Sequence, residues 1–137
     1  MKRFYIPFLA LMLGTPLVQA EVVIIGNPAG PDSITLDQVR DIYLNRSKAL
    51  PSGQRAVPYE LTEDSATREA FHNAVTGRSN AQLKAFWSQQ VFTGKGQPPQ
   101  DVGTEAAMKS SVASTPGGIG YIDSAQVDGS IKVILTP

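Results

Sequence analysis

The strongest constraint in this sequence is the order in which two hydrophobic patterns follow one another. Val22-Val23-Ile24-Ile25 is a continuous β-branched run that stops at Gly26-Asn27-Pro28, which predicts a buried strand and then a turn. Thr35-Leu-Asp-Gln38 follows, a capping box in which the Thr35 hydroxyl takes an orphan amide and Gln38 reaches back. The helix it opens sets Leu36, Val39, Ile42 and Tyr43 on one face. After a Pro/Gly turn within residues 45–54, residues 55–61 alternate partly and predict a second strand. Pro58 assigns that strand to an edge, or itself to a strand end. Three helical stretches come next. The first opens at Asp64-Ser65 and carries Ala66, Ala70, Phe71, Ala74 and Val75 as its apolar stripe. The second opens at the capping box Ser79-Asn-Ala-Gln82 and runs through Leu83, Phe86, Trp87 and Val91, read as core. The third spans 104–114 with Ala107, Met108 and Val112 inward. Residues 119–122 and 131–135 read as two further strands with a turn at Asp128-Gly129. Strands separated by helices need crossovers, so the fold class is α/β: a three-layer domain with a mixed sheet of about four or five strands.

The first twenty residues stand outside that pattern. Lys2-Arg3, an apolar run from Phe4 to Leu13 and the exit Val18-Gln19-Ala20 have the three parts of a cleavable export signal. The run is too short for a membrane-spanning helix. Residues 1–20 therefore predict a signal peptide, and residues 21–137 a single domain of the periplasm or outside the cell, with no membrane insertion after cleavage. Removing 20 of 137 residues leaves 117, and it takes 12 basic residues to 10 against 12 acidic ones. A slightly acidic balance argues against nucleic acid as a partner. The absence of cysteine excludes disulfides, thiolate metal sites and cysteine nucleophiles.

Catalytic chemistry finds no constellation. No G-x-S-x-G elbow occurs. One histidine, His72, with no cysteine makes a metal site unexpected, and no cofactor is implied. His72 falls beside the apolar stripe of its helix and is expected at a solvated flank. Gly117-Gly118-Ile119-Gly120 precedes a strand and does not open a helix, which excludes a dinucleotide fingerprint. Gly94-Lys95-Gly96 reads as a loop. The chain is not expected to be an enzyme.

Three segments in order, Ser33 to Arg46, Asp64-Ser65-Ala66-Thr67 leading to Phe71, and Pro116-Gly-Gly-Ile-Gly-Tyr121, resemble the phosphate-binding proteins of bacterial ABC importers, in the type 2 periplasmic binding protein superfamily. The resemblance covers nearly all of residues 21–137 and is to one lobe only. It implies the fold of such a lobe, with phosphate or another oxyanion as ligand and an ABC permease or an envelope sensor as partner. In the family a Ser-Gly-Thr turn gives hydroxyls and helix N-terminal amides to the anion, for the general reason that those amides lack internal partners. Ser65 and Thr67 match that turn, and Ala66 stands where the glycine would be. The arginine clamp four residues before the serine is replaced by Leu61, which leaves Arg68 and Arg55 as the candidates for its place, with no sequence rule that puts either one there. An aspartate beside the turn, here Asp64, is common in the family and can accept the hydrogen of a protonated phosphate. Asn27, in the loop after the first strand, is a further candidate, because open α/β sheets bind ligands at strand C-terminal ends. The alternative implied by Leu61 and Ala66 is a module that binds no ligand and serves protein interaction in the envelope, accessory to a sensor or transporter.

Overall fold

The computed structural model describes residues 21–137. The export-signal reading of residues 1–20 lies outside them. The described elements are β1 (Val22–Gly26), α1 (Leu36–Tyr43), β2 (Val57–Leu61), α2 (Ala66–Ala74), α3 (Asn80–Phe92), β3 (Gln100–Gly103), α4 (Glu105–Ser114), β4 (Gly118–Asp123) and β5 (Lys132–Leu135), with a 3-10 turn at Ser124–Gln126. Both capping boxes form. Thr35 and Ser79 each accept the amide three residues on, and Gln38 and Gln82 accept the cap amides in return.

The five strands form one mixed sheet in the order β3-β2-β4-β1-β5. β2 lies parallel to both β3 and β4, whereas β1 is antiparallel to β4 and β5. The turn at Asp128-Gly129 therefore does not join neighbours, because β1 inserts between β4 and β5. β2 is interior, not an edge strand. Pro58 is tolerated because β3 pairs only from Tyr59 onward, so the missing amide faces no partner strand. β3 is a short polar strand that carries no hydrophobic alternation and is set only by its pairing with β2.

The three-layer arrangement follows from the alternation of β4. Tyr121 faces α1 and α2: its ring stacks on Phe71 at 4.0 Å between centroids, and Tyr43 meets Phe71 edge-on at 4.7 Å. Gly118 and Gly120 face the other way, against α4. A Cβ on Gly120 would run into the Met108 sulfur, and one on Gly118 would lie 3.0 Å from the Val112 carbonyl oxygen. Two glycines two residues apart on one strand thus let α4 close on the sheet, with Met108 and Val112 fully buried. The core joins Ile24, Ile25, Val39, Leu61, Ile119 and Ile122 between these layers.

α2 is rotated relative to the stripe expected for it. Ala66 and Ala74 are exposed, while Thr67, Phe71, His72 and Val75 are buried. α3 lies on the outside of the domain. Only Leu83 of its residues is buried; Phe86 and Trp87 are half-buried and pack edge-on against each other.

Candidate functional site

Because β2, β3 and β4 are parallel, their C-terminal ends share one edge of the sheet, where Thr62 leaves β2 and donates its amide to Gly103 at 3.1 Å. Both helices that follow parallel strands start there. Ser65 caps α2, its hydroxyl accepting from the Arg68 amide at 3.1 Å, and Thr104 caps α4 in the same way. Within α2's first turn, the amides of Ala66 and Thr67 have no acceptor among the described residues. Thr67 is buried and Ser65 half-buried. Ser65, Ala66 and Thr67 therefore form one donor-rich turn at the strand ends, with Ala66 at the surface and Thr67 beneath it.

Arg68 belongs to the same turn, but its guanidinium points inward. One terminal nitrogen donates to the Leu61 carbonyl at 2.8 Å and the other lies 3.3 Å from Glu60 Oε2. Arg68 ties the end of β2 to the start of α2, and Leu61 itself is a core residue. Glu60 is the centre of a buried polar cluster that the sequence reading did not single out. Its carboxylate accepts from the Tyr121 hydroxyl at 2.7 Å and contacts His72 Nε2 at 2.9 and 3.0 Å; His72 Nδ1 is 2.9 Å from the Thr76 hydroxyl. The Tyr121 oxygen in turn accepts the Leu61 amide. His72 is 3% exposed, so it is a core partner of Glu60 and not a solvated flank residue. Burial, with the Glu60 charge alongside, pushes the Tyr121 phenol far above its ordinary range.

Asn27 is not brought to this site. β1 is antiparallel to β4, so its C-terminal end lies at the opposite edge of the sheet. There the Asn27 carboxamide donates to the carbonyls of Val112, Ala113 and Thr115, closing the C-terminal end of α4, and accepts the Ala29 amide. Arg55 precedes β2 and lies at that opposite edge too. A groove of about 570 Å³ opens beside the α2 turn, bounded by Arg68, Leu83, Trp87, Val91, Phe92 and Pro98. No helix among the described residues is long and apolar enough to cross a membrane.

A family model described as a PBP superfamily domain matches residues 12–132. The chain belongs to that family. Two solved structures share the fold of this PBP-superfamily chain. One is a phosphate ABC transporter substrate-binding protein with bound phosphate from Clostridium perfringens, with a TM-score of 0.66 and 24% identity over 83% of this chain. The other is an ABC-type phosphate transport receptor from Vibrio cholerae, with a TM-score of 0.66 and 21% identity over 83% of this chain. The chain spans 44% and 45% of their lengths, less than half of each, so the likeness is to a single lobe. No curated protein matches the sequence.

Proposed function

We propose that this domain is a periplasmic solute-binding lobe that takes phosphate or a similar oxyanion at the start of α2, in connection with ABC transport or sensing. The observation that carries the reading is the pair of partnerless amides at Ala66 and Thr67, set beside the Ser65 hydroxyl where three parallel strands end. The family and the phosphate-bound structural relative agree with it. Arg68 contributes by holding the turn against β2. Its guanidinium is already engaged by Glu60 and Leu61. Ser65, Ala66 and Thr67 are then the contact residues, and binding rests on neutral donors. The test is titration calorimetry with phosphate, then sulfate, on protein unfolded and refolded to strip carried-over ligand. Saturable heat that weakens by about tenfold or more in Ser65→Ala and Thr67→Val is expected, the loss of one hydrogen bond to a charged group. Wild-type affinity in both variants overturns the assignment of the site.

One observation favours a second reading. Leu61 occupies the clamp position and Arg68 is turned inward, while Glu63 and Asp64 stand exposed beside the turn. On that reading the lobe has no ligand and acts as an envelope interaction module. Absence of heat up to millimolar anion, with a specific partner retained in a pull-down, is the result that selects it.

A further inference from the structure

α3 is a 13-residue helix with a single buried residue, Leu83. A helix of that length is marginal in water without a packed face. Its C-terminal end nevertheless exposes two large apolar side chains: Val91 is 43% exposed and Phe92 92%, and both border the groove formed with Leu83, Trp87 and Pro98. A projecting aromatic and an apolar recess thus lie on one surface, which is the arrangement a two-fold, self-complementary contact requires.

The charges fit the same symmetry. Glu63 sits at the N-terminal end of α3, where Asn80 donates to its carbonyl, and Lys95 follows the C-terminal end. Glu63, Lys84 and Lys95 enter no ion pair among the described residues. An antiparallel pairing of two α3 helices about an axis near Ser88 would bring the Glu63 end of each helix to the Lys95 end of the other. A parallel pairing would set like ends together. The backbone at Lys95 is fixed at that end of α3: Asn45 donates to the Lys95 carbonyl at 3.0 Å and to Gln90 Oε1 at 3.1 Å.

We infer that the α3 groove is the interface of a homodimer, in which Phe92 of each copy fills the Leu83–Trp87–Pro98 recess of the other across an antiparallel α3 pair. Because Arg68 and Glu63 border the groove, the second copy would stand beside the α2 turn; the dimer does not depend on anion binding there.

The experiment is sedimentation equilibrium of the purified, anion-free protein at concentrations up to about 200 µM, a range that detects even sub-millimolar association. A monomer–dimer equilibrium is expected, weakened by about thirtyfold in Phe92→Asp, the loss of a central aromatic anchor. Phe92 is almost wholly exposed, so this variant keeps the fold, which circular dichroism checks. The cysteine-free chain allows a second reading of geometry. Ser88→Cys is expected to form an intermolecular disulfide under mild oxidation, and Ser110→Cys, exposed on α4, is not. A single-copy mass throughout, a dimer indifferent to Phe92→Asp, or equal cross-linking of the two cysteines overturns the proposal.

Discussion

Glu60 concentrates more of this domain's electrostatics than any other side chain. It is 6% exposed and takes contacts from Tyr121, His72 and Arg68, which come from β4 and from two turns of α2. A carboxylate removed from water is tolerated only when its oxygens are saturated in this way. Glu60→Ala would leave Arg68, itself 12% exposed at the side chain, without its counter-charge, and Tyr121 and His72 without their acceptor. Urea unfolding should show a loss of about 3–5 kcal/mol, against about 1 kcal/mol if the cluster were solvated. Part of this was legible. The strand was legible in the partial alternation of residues 55–61, but alternation alone puts Glu60, between Tyr59 and Leu61, on the solvent face. Its buried partners were hidden. His72 lies twelve residues on, and no local rule faces a strand residue toward a helix residue at that distance. The phase of α2 was misread for a related reason. Ala66, Ala70 and Ala74 recur with the same period as Thr67, Phe71 and Val75, and small alanines carry too little burial energy to choose between the two faces.

At the level of elements, helix starts were the most legible features, because a cap is a contact between residues three apart. Thr35, Ser65 and Ser79 cap where their helices were expected to open, and Thr104, the expected first residue of the last helix, is its cap. Contacts distant in sequence were not legible. β3 exists through its pairing with β2, and α3, whose Leu83, Phe86, Trp87 and Val91 read as a core face, lies outside a sheet whose faces are packed by α1, α2 and α4. The approach of α4 is set by the glycines of β4. Gly120→Ala should cost about 1–3 kcal/mol in thermal denaturation, the usual penalty for overfilling a packed contact, since the new Cβ meets the Met108 sulfur and lies 3.2 Å from a Val112 methyl. Combining it with Met108→Ala should be less destabilising than the sum of the two changes. Strict additivity would mean that α4 is not held by this contact.

Across the whole molecule, the two buried phenols set an alkaline limit. Burial raises the Tyr43 and Tyr121 hydroxyls far above the ordinary value, with Glu60 adding to both. The unfolded chain ionises these groups at about pH 10, while the folded chain keeps its protons. Above that point the unfolded state binds fewer protons, so stability is intact below about pH 10 and falls as pH rises beyond it. Melting temperature should be level up to about pH 9 and decline past about 10, less steeply in Tyr121→Phe; a level profile through pH 11 would show that the phenols titrate in the folded state. The sheet order also governs when this molecule can form during synthesis. β1, the most apolar strand, is made before α1 to α4, yet both of its partners, β4 and β5, come from residues 118–135. Until those residues emerge, Val22 to Gly26 has no strand to join. Nascent chains therefore carry an unshielded, aggregation-prone segment through the synthesis of four helices and two strands, an exposure that a hairpin-first fold avoids.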